Sequence, residues 1–190
     1  MSESSFRSGI RSSVRGYWGG ALSRSDFTSA MSAALKRNLA NAWNEGAVDC
    51  GIDATELTDD ELKARDAFIV EQQGYVGGFA DAIHDNSKIA KGKLQALFDR
   101  AEMWILRYGE IRDRAKVLAC GDKKLEWKIN ARCLEHCSSC LSLNGKVKRA
   151  SYWKKVDIYP RGKMLECGGW RCCCEFLVTD KPISRGAISI

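Results

Sequence analysis

The stretch Gly121-Asp122-Lys123-Lys124-Leu125-Glu126-Trp127-Lys128-Ile129-Asn130 decides how this chain is organised. Within it Leu125, Trp127 and Ile129 alternate with Glu126, Lys128 and Asn130. That period of two marks a half-buried strand, because successive side chains leave a pleated backbone on opposite faces. Gly121, just before the alternation, is the residue type that ends helices, since it enters the left-handed region without a Cβ penalty. A change of period across a helix stop predicts an α+β chain, with a helical body over residues 1–122 and a smaller annex over residues 123–190.

Upstream of the stretch, apolar residues recur at helical spacing. Leu94, Leu97, Phe98, Ala101, Trp104, Ile105, Tyr108, Ile111 and Ala115 share one face of a helix predicted from about Lys88 to Ala119. Thr58-Asp59-Asp60-Glu61 has the spacing of a capping box, so another helix should start there and carry Leu62, Phe68, Ile69, Val76, Phe79 and Ile83. Gly74, Gly77 and Gly78 weaken its middle: they either kink it or let a neighbouring helix approach closely. A third helix is expected from about Asp26 to Ala47, on Phe27, Met31, Leu35, Leu39 and Trp43, with Ser25 as its cap. Near the start, Phe6, Ile10, Val14 and Trp18 repeat every four residues beside a stripe of Arg7, Arg11 and Arg15, and Gly19-Gly20 ends this basic amphipathic helix. About four helices are therefore expected in the body.

Downstream the cysteines take over. Seven of the nine lie between Cys133 and Cys174, so whatever the thiols do is local. Without an apolar signal core the expected setting is reducing cytosol, where grouped thiols serve metal or redox chemistry rather than structural disulfides. Cys137 and Cys140 form a CxxC, the spacing at which two thiolates on one turn reach a single tetrahedral ion. The complementary half should come from Cys167-Gly168-Gly169-Trp170-Arg171-Cys172-Cys173-Cys174. Two pairs joined across a β-hairpin, for which Asn144-Gly145 is the favoured turn dipeptide, predict a zinc-ribbon-like annex. The expected ligands are Cys137, Cys140, Cys167 and Cys172. Cys174 is the alternate, because in a strand it shares a face with Cys172 and Phe176 while Cys173 points away. Cys133 and His136 compete for the same role. The predicted cofactor is a structural zinc, which would supply a staple that so small and aliphatic-poor a unit requires.

The net charge of +6 is concentrated in this annex: from Lys123 onward fourteen Lys or Arg face six Asp or Glu. Lys146, Lys148, Arg149 and Arg171 could offset a four-thiolate centre, whose formal charge with zinc is minus two. Together with Arg7, Arg11 and Arg15, the residues Lys146, Lys148 and Arg149 are the candidate contacts to an acidic partner or to DNA. No apolar run approaches the roughly 18 residues of a membrane span, so no membrane partner is expected. Nothing marks an open catalytic metal site, since His84 and His136 are isolated and no His-Glu-x-x-His pattern occurs. The chain is therefore not expected to be an enzyme. A thiol oxidoreductase using Cys137 and Cys140 would need an exposed thiolate of low pKa.

The series from His136 to Phe176, CxxC, then Leu143-Asn144-Gly145-Lys146-Val147, then Ala150-Ser151-Tyr152-Trp153, then Pro160 before Leu165-Glu166-Cys167-Gly168-Gly169, then Cys172 and Cys174, resembles the C-terminal signature of the bacteriophage Mu F-like minor head proteins, the phage head morphogenesis family. The helical region, with Ala42-Trp43-Asn44-Glu45-Gly46-Ala47-Val48-Asp49-Cys50-Gly51-Ile52, also resembles that family, which extends the likeness from about Phe6 to Asp180. The resemblance implies a non-enzymatic virion protein of low copy number, assembled in the host cytoplasm and associated with the portal and the inside of the prohead. It would act in head morphogenesis or DNA delivery, with portal protein, other head proteins and nonspecifically packaged DNA as partners. The extra Cys173 departs from the family's CxC. The alternative reading is a zinc-ribbon regulator that binds nucleic acid through the same basic annex.

Overall fold

The computed structural model describes residues 3–130, 135–188 and 190. The helices α1 (Glu3–Trp18), α2 (Arg24–Asp49), α3 (Asp59–Gly74), α4 (Val76–Asp85) and α5 (Leu94–Ala119) precede the strand β1 (Lys124–Lys128). Then follow α6 (Ser138–Leu143), β2 (Val147–Arg149), α7 (Ala150–Val156) and β3 (Glu175–Val178). The class is α+β, with a small antiparallel sheet of order β2-β1-β3.

The chain forms two compact units, Met1–Asn41 with Asp66–Ile105, and Ala42–Arg65 with Leu106–Ile190. This division falls inside α2, α3 and α5, not at residue 122, although the secondary structure does change there as the alternation at Leu125 predicts. A helix long enough to serve two cores carries its apolar stripe through both, so its sequence shows no break between them.

In the first unit, Phe6, Ile10 and Val14 of α1 are buried at their four-residue spacing. Phe79 anchors the core, with its ring 6.1 Å from that of Phe27 and 5.0 Å from that of Trp104. The helix predicted to run through Gly74 and Gly78 instead breaks at Tyr75 into α3 and α4. A Cβ at Gly74, Gly77 or Gly78 would meet nothing within 4 Å, so these glycines admit a kink rather than a close neighbour. The cap of α2 is Ser23, not Ser25: Asp26 N–H donates to Ser23 Oγ and Ser23 N–H to Asp26 Oδ2. Helix α5 starts at Leu94, later than Lys88, because the chain folds back on itself at Gly92, where a Cβ would lie 2.0 Å from the Asn86 carbonyl oxygen.

In the second unit, the capping box at Thr58 forms as its spacing predicts. Thr58 N–H donates to Glu61 Oε2, and Glu61 N–H to Thr58 Oγ1. Gly46 lets α2 meet α5, since a Cβ there would stand 2.2 Å from the Arg112 carbonyl oxygen. Strand β1 is central. Trp127 pairs with Phe176 across β1 and β3, and the two rings meet edge to face at 5.4 Å. Trp153 of α7 completes the cluster, 4.9 Å from Phe176, and its indole donates to the Leu125 carbonyl at 3.2 Å.

The outer edges of this short sheet are both covered, which removes the open backbone groups that edge strands otherwise present. Beside β2, Ser184 N–H donates to the Val147 carbonyl, and Val147 N–H donates to Ser184 Oγ. Beside β3 the work is done by side chains of α5: Phe176 N–H donates to Asp113 Oδ1 at 3.0 Å, and Lys116 Nζ donates to the Phe176 carbonyl at 2.6 Å. Asn144-Gly145 does not make a two-residue hairpin. It closes α6, with Asn144 N–H donating to the Cys140 carbonyl and Gly145 at φ 77°.

Candidate metal centre

Two short segments carry the thiols. Cys137 is the N-cap of α6, and its sulfur accepts from Cys140 N–H at 3.5 Å, so the CxxC occupies the first turn of a helix rather than a hairpin. The second segment is the loop from Cys167 to Cys174. Gly168 and Gly169 both have positive φ, and a Cβ at Gly169 would lie 2.1 Å from the Arg161 carbonyl oxygen, so the Cys-Gly-Gly sequence is a steric requirement of the turn. The two segments are tied directly. Ser138 N–H donates to Glu166 Oε2 at 2.8 Å, and Glu166 N–H returns to Ser139 Oγ at 3.1 Å. Ser138 thereby holds the Glu166 carboxyl below the usual carboxylate range.

This arrangement brings five thiols together in two overlapping triads. One is Cys137, Cys140 and Cys167, the other is Cys140, Cys172 and Cys174, and within each triad the sulfurs lie within 4.8 Å of one another. Cys140 belongs to both. Its Sγ is 3.7 Å from that of Cys172. Four sulfurs held about 2.3 Å from one ion stand roughly 3.8 Å apart, so this pair already has the separation of two tetrahedral ligands. The Cys140-Cys172-Cys174 triad is buried throughout, with its members 2 %, 6 % and 0 % exposed, whereas Cys137 and Cys167 are partly exposed. The donor set and its burial fit a metal ion.

The electrostatics of the thiols are those of charges crowded together. Cys172 is drawn down to about 2, first by the hydrogen bond from Cys140 and then by that from Cys174. Cys140 is correspondingly pushed up by donating to Cys172 and Cys174. For Cys174, Cys140 acts downward, but Cys172 and burial prevail and push it up to about 12. Burial raises Cys167 to about 11. Burial also acts upward on Cys137, but the backbone N–H groups of Cys140 and Cys167 overcome it and leave that thiol below its ordinary value. The thiols thus compete for protons that a bound cation would displace.

All four expected ligands and the alternate Cys174 lie in this cluster. Cys133 falls outside the described residues. Cys173 is disulfide-bonded and has no thiolate to offer, and neither triad includes His136. Two of the expected neutralising cations are engaged elsewhere. Lys148 is buried and donates to the carbonyls of Ser184 and Gly186, and Arg149 pairs with Asp122 at 2.6 Å. Lys146 is exposed, and Arg171 stacks on Trp170. A cation that does contact the cluster's backbone is Arg161, whose Nε donates to the Cys172 carbonyl at 3.3 Å and whose Nη1 pairs with Asp113. The arginine stripe of α1 is also engaged: Arg7 pairs with Glu3 and Glu102, Arg11 with Glu102, and Arg11 and Arg15 both lie over the Phe98 ring.

Two features had no signal in the sequence. Cys50 and Cys120 form a disulfide that joins the residue after α2 to the residue after α5, in place of the free thiols expected of a reducing compartment. Asp113, Lys116, Glu110 and Arg107 of α5 form a buried charge network that Arg161 joins. None of the four is among the residues expected on that helix's apolar face. Among the described residues no helix is long and apolar enough to cross a membrane. No family model, curated protein or solved structure matches the chain.

Proposed function

We propose that this chain is a phage minor head protein that acts in head morphogenesis, docking at the portal or the inside of the prohead, and that a structural zinc ion in its thiol cluster gives the annex a fixed shape. The reading takes its biology from the ordered series of motifs between His136 and Phe176. The observation that carries its mechanism is the gathering of five thiols from α6 and the 167–174 loop into two triads that share the buried Cys140. When bound, zinc supplies no reaction here: it cross-links two segments that otherwise share a few hydrogen bonds.

The alternative, a zinc-ribbon regulator that binds nucleic acid, requires free cations on the annex. Lys148 and Arg149 already have partners within the chain, and so have Arg7 and Arg11, which favours the head-protein reading. Co-sedimentation decides between them. A head protein should travel with the cognate portal or procapsid and bind short duplex DNA weakly and without sequence preference. A chain that ignores portal but binds DNA tightly, with a steep loss of affinity as salt rises, would be the regulator instead.

A further inference from the structure

We propose that the ion is held by the inner triad Cys140, Cys172 and Cys174, that Cys137 and Cys167 are interchangeable as the fourth ligand, and that Trp127 fixes Cys174 as a ligand by donating its indole N–H to that sulfur. This rests on the metal reading above and narrows it. It differs from the four ligands expected from spacing, which omit Cys174.

Three observations converge. The first is distance, since Cys140 and Cys172 already stand 3.7 Å apart, the separation of about 3.8 Å that one tetrahedral ion imposes on two thiolates. The second is burial. The inner triad is closed to solvent, and its Cys174 is completely so, while each member of the outer pair is partly exposed. A metal-thiolate bond shielded from water persists, and a partly exposed one exchanges more readily. A tetrahedral ion on three inner sulfurs leaves one vertex. Cys137 and Cys167 both lie within reach of Cys140, so two sulfurs compete for that vertex.

The third observation is the indole of Trp127. Its ring is fully buried, yet its N–H finds no hydrogen-bond partner among the described residues. In the same core the Trp153 indole is satisfied by the Leu125 carbonyl. The indoles of Trp18 and Trp43 also lack partners, but Trp127 shares one buried cluster with Cys140, Cys172 and Cys174, and its strand partner Phe176 lies two residues beyond Cys174. A neutral thiol is a poor acceptor. A metal-bound thiolate carries negative charge and accepts N–H groups well, so binding of the ion at Cys174 is what satisfies this donor. The residue that the strand alternation singles out, Trp127, thereby acts on the metal through Cys174.

The test uses the full chain, titrated with zinc and separately with cobalt, with metal content measured after gel filtration. Cys140→Ser, Cys172→Ser and Cys174→Ser should each lose the ion. Cys137→Ser and Cys167→Ser should each keep one ion per chain, and their double variant should lose it. Trp127→Phe should weaken zinc binding about tenfold to 100-fold and shift the sulfur-to-cobalt charge-transfer band to longer wavelength, because a thiolate without its hydrogen bond donates more readily. A role in packing alone would lower the melting temperature and leave that band in place. Full metal content in Cys174→Ser, loss in either outer single variant, or an unmoved band in Trp127→Phe would overturn the assignment. A wild-type chain that takes up no metal would overturn the metal reading itself and this assignment with it.

Discussion

The two compact units are held together by different physics. Met1–Asn41 with Asp66–Ile105 contains no cysteine, and its buried polar residues are the neutral Asn38 and Gln72. The second unit contains all nine cysteines and, among the described residues, every buried charge, including Arg107, Glu110, Asp113, Lys116, Glu126 and Lys148. The first is a helical core assembled from apolar faces at regular spacing, which needs no further fastening. The second gathers short strands, a six-residue helix and long turns, none of which can persist alone. It compensates with a disulfide, a buried charge network that covers a strand edge, and a thiol cluster that fits a metal. Where regular structure is scarce, cross-links replace periodicity.

That contrast can be broken or sharpened by substitution, and the largest effect is expected at Cys140, the thiol common to both triads. Cys140→Ser should abolish metal binding and collapse the Trp127, Trp153 and Phe176 cluster. Structural zinc contributes an apparent stabilisation on the order of 10 kcal/mol in small metal-folded units, comparable to the whole stability of a domain. Near-ultraviolet circular dichroism of the tryptophans would check it, and a wild-type spectrum would break the comparison. Next comes the disulfide. Cys50 and Cys120 are 70 residues apart in sequence, and a closed loop of that size is worth about 4 kcal/mol. The Cys50→Ala, Cys120→Ala double variant should lose about that much in a denaturant titration.

Asp113→Asn should cost about 3 kcal/mol, because it strips Lys116 and Arg161 of a buried counterion while the amide oxygen can still accept from Phe176. The same residue gives a pH signature. Burial raises its folded pKa above the ordinary value, so the folded chain holds that proton more tightly than the unfolded one. The associated stability is present in acid and is lost as pH rises from the ordinary aspartate value through the raised one. The variant should lack that slope in stability measured against pH. Smallest is Ile83→Val, in the fully buried core of the first unit. It should cost about 1 kcal/mol, by the same amount with or without reductant, provided that unit depends on packing alone.

The first unit was legible because its signal is local. Phe6, Ile10 and Val14 state their own helix and face, and the start of α3, the helix that enters this unit at Asp66, is stated just as locally by the Thr58 capping box of the second unit. Its departures were local too, with a break at Tyr75 and a late start at Leu94 set by the fold-back at Gly92. The second unit was legible at Leu125-Glu126-Trp127 and in the nearness of the thiols, because alternation and a CxxC are also local patterns. It was illegible wherever distant residues meet. Cys50 and Cys120 look like unrelated single thiols until α2 and α5 end side by side. Asp113 and Lys116 stand outside the apolar stripe of α5, and nothing near them in sequence announces that the backbone of Phe176 will need a donor and an acceptor. Spacing alone also could not rank five sulfurs, because their depth of burial is set by parts of the chain distant in sequence.

Segment-resolved hydrogen exchange on the metal-loaded chain before and after strong chelation tests this account most directly. Chelation should strip protection from β1, α6 and β3 while leaving α1 and the Phe27 to Leu39 stretch of α2 as slow as before. Unchanged exchange throughout, or an equal loss in both units, would contradict it.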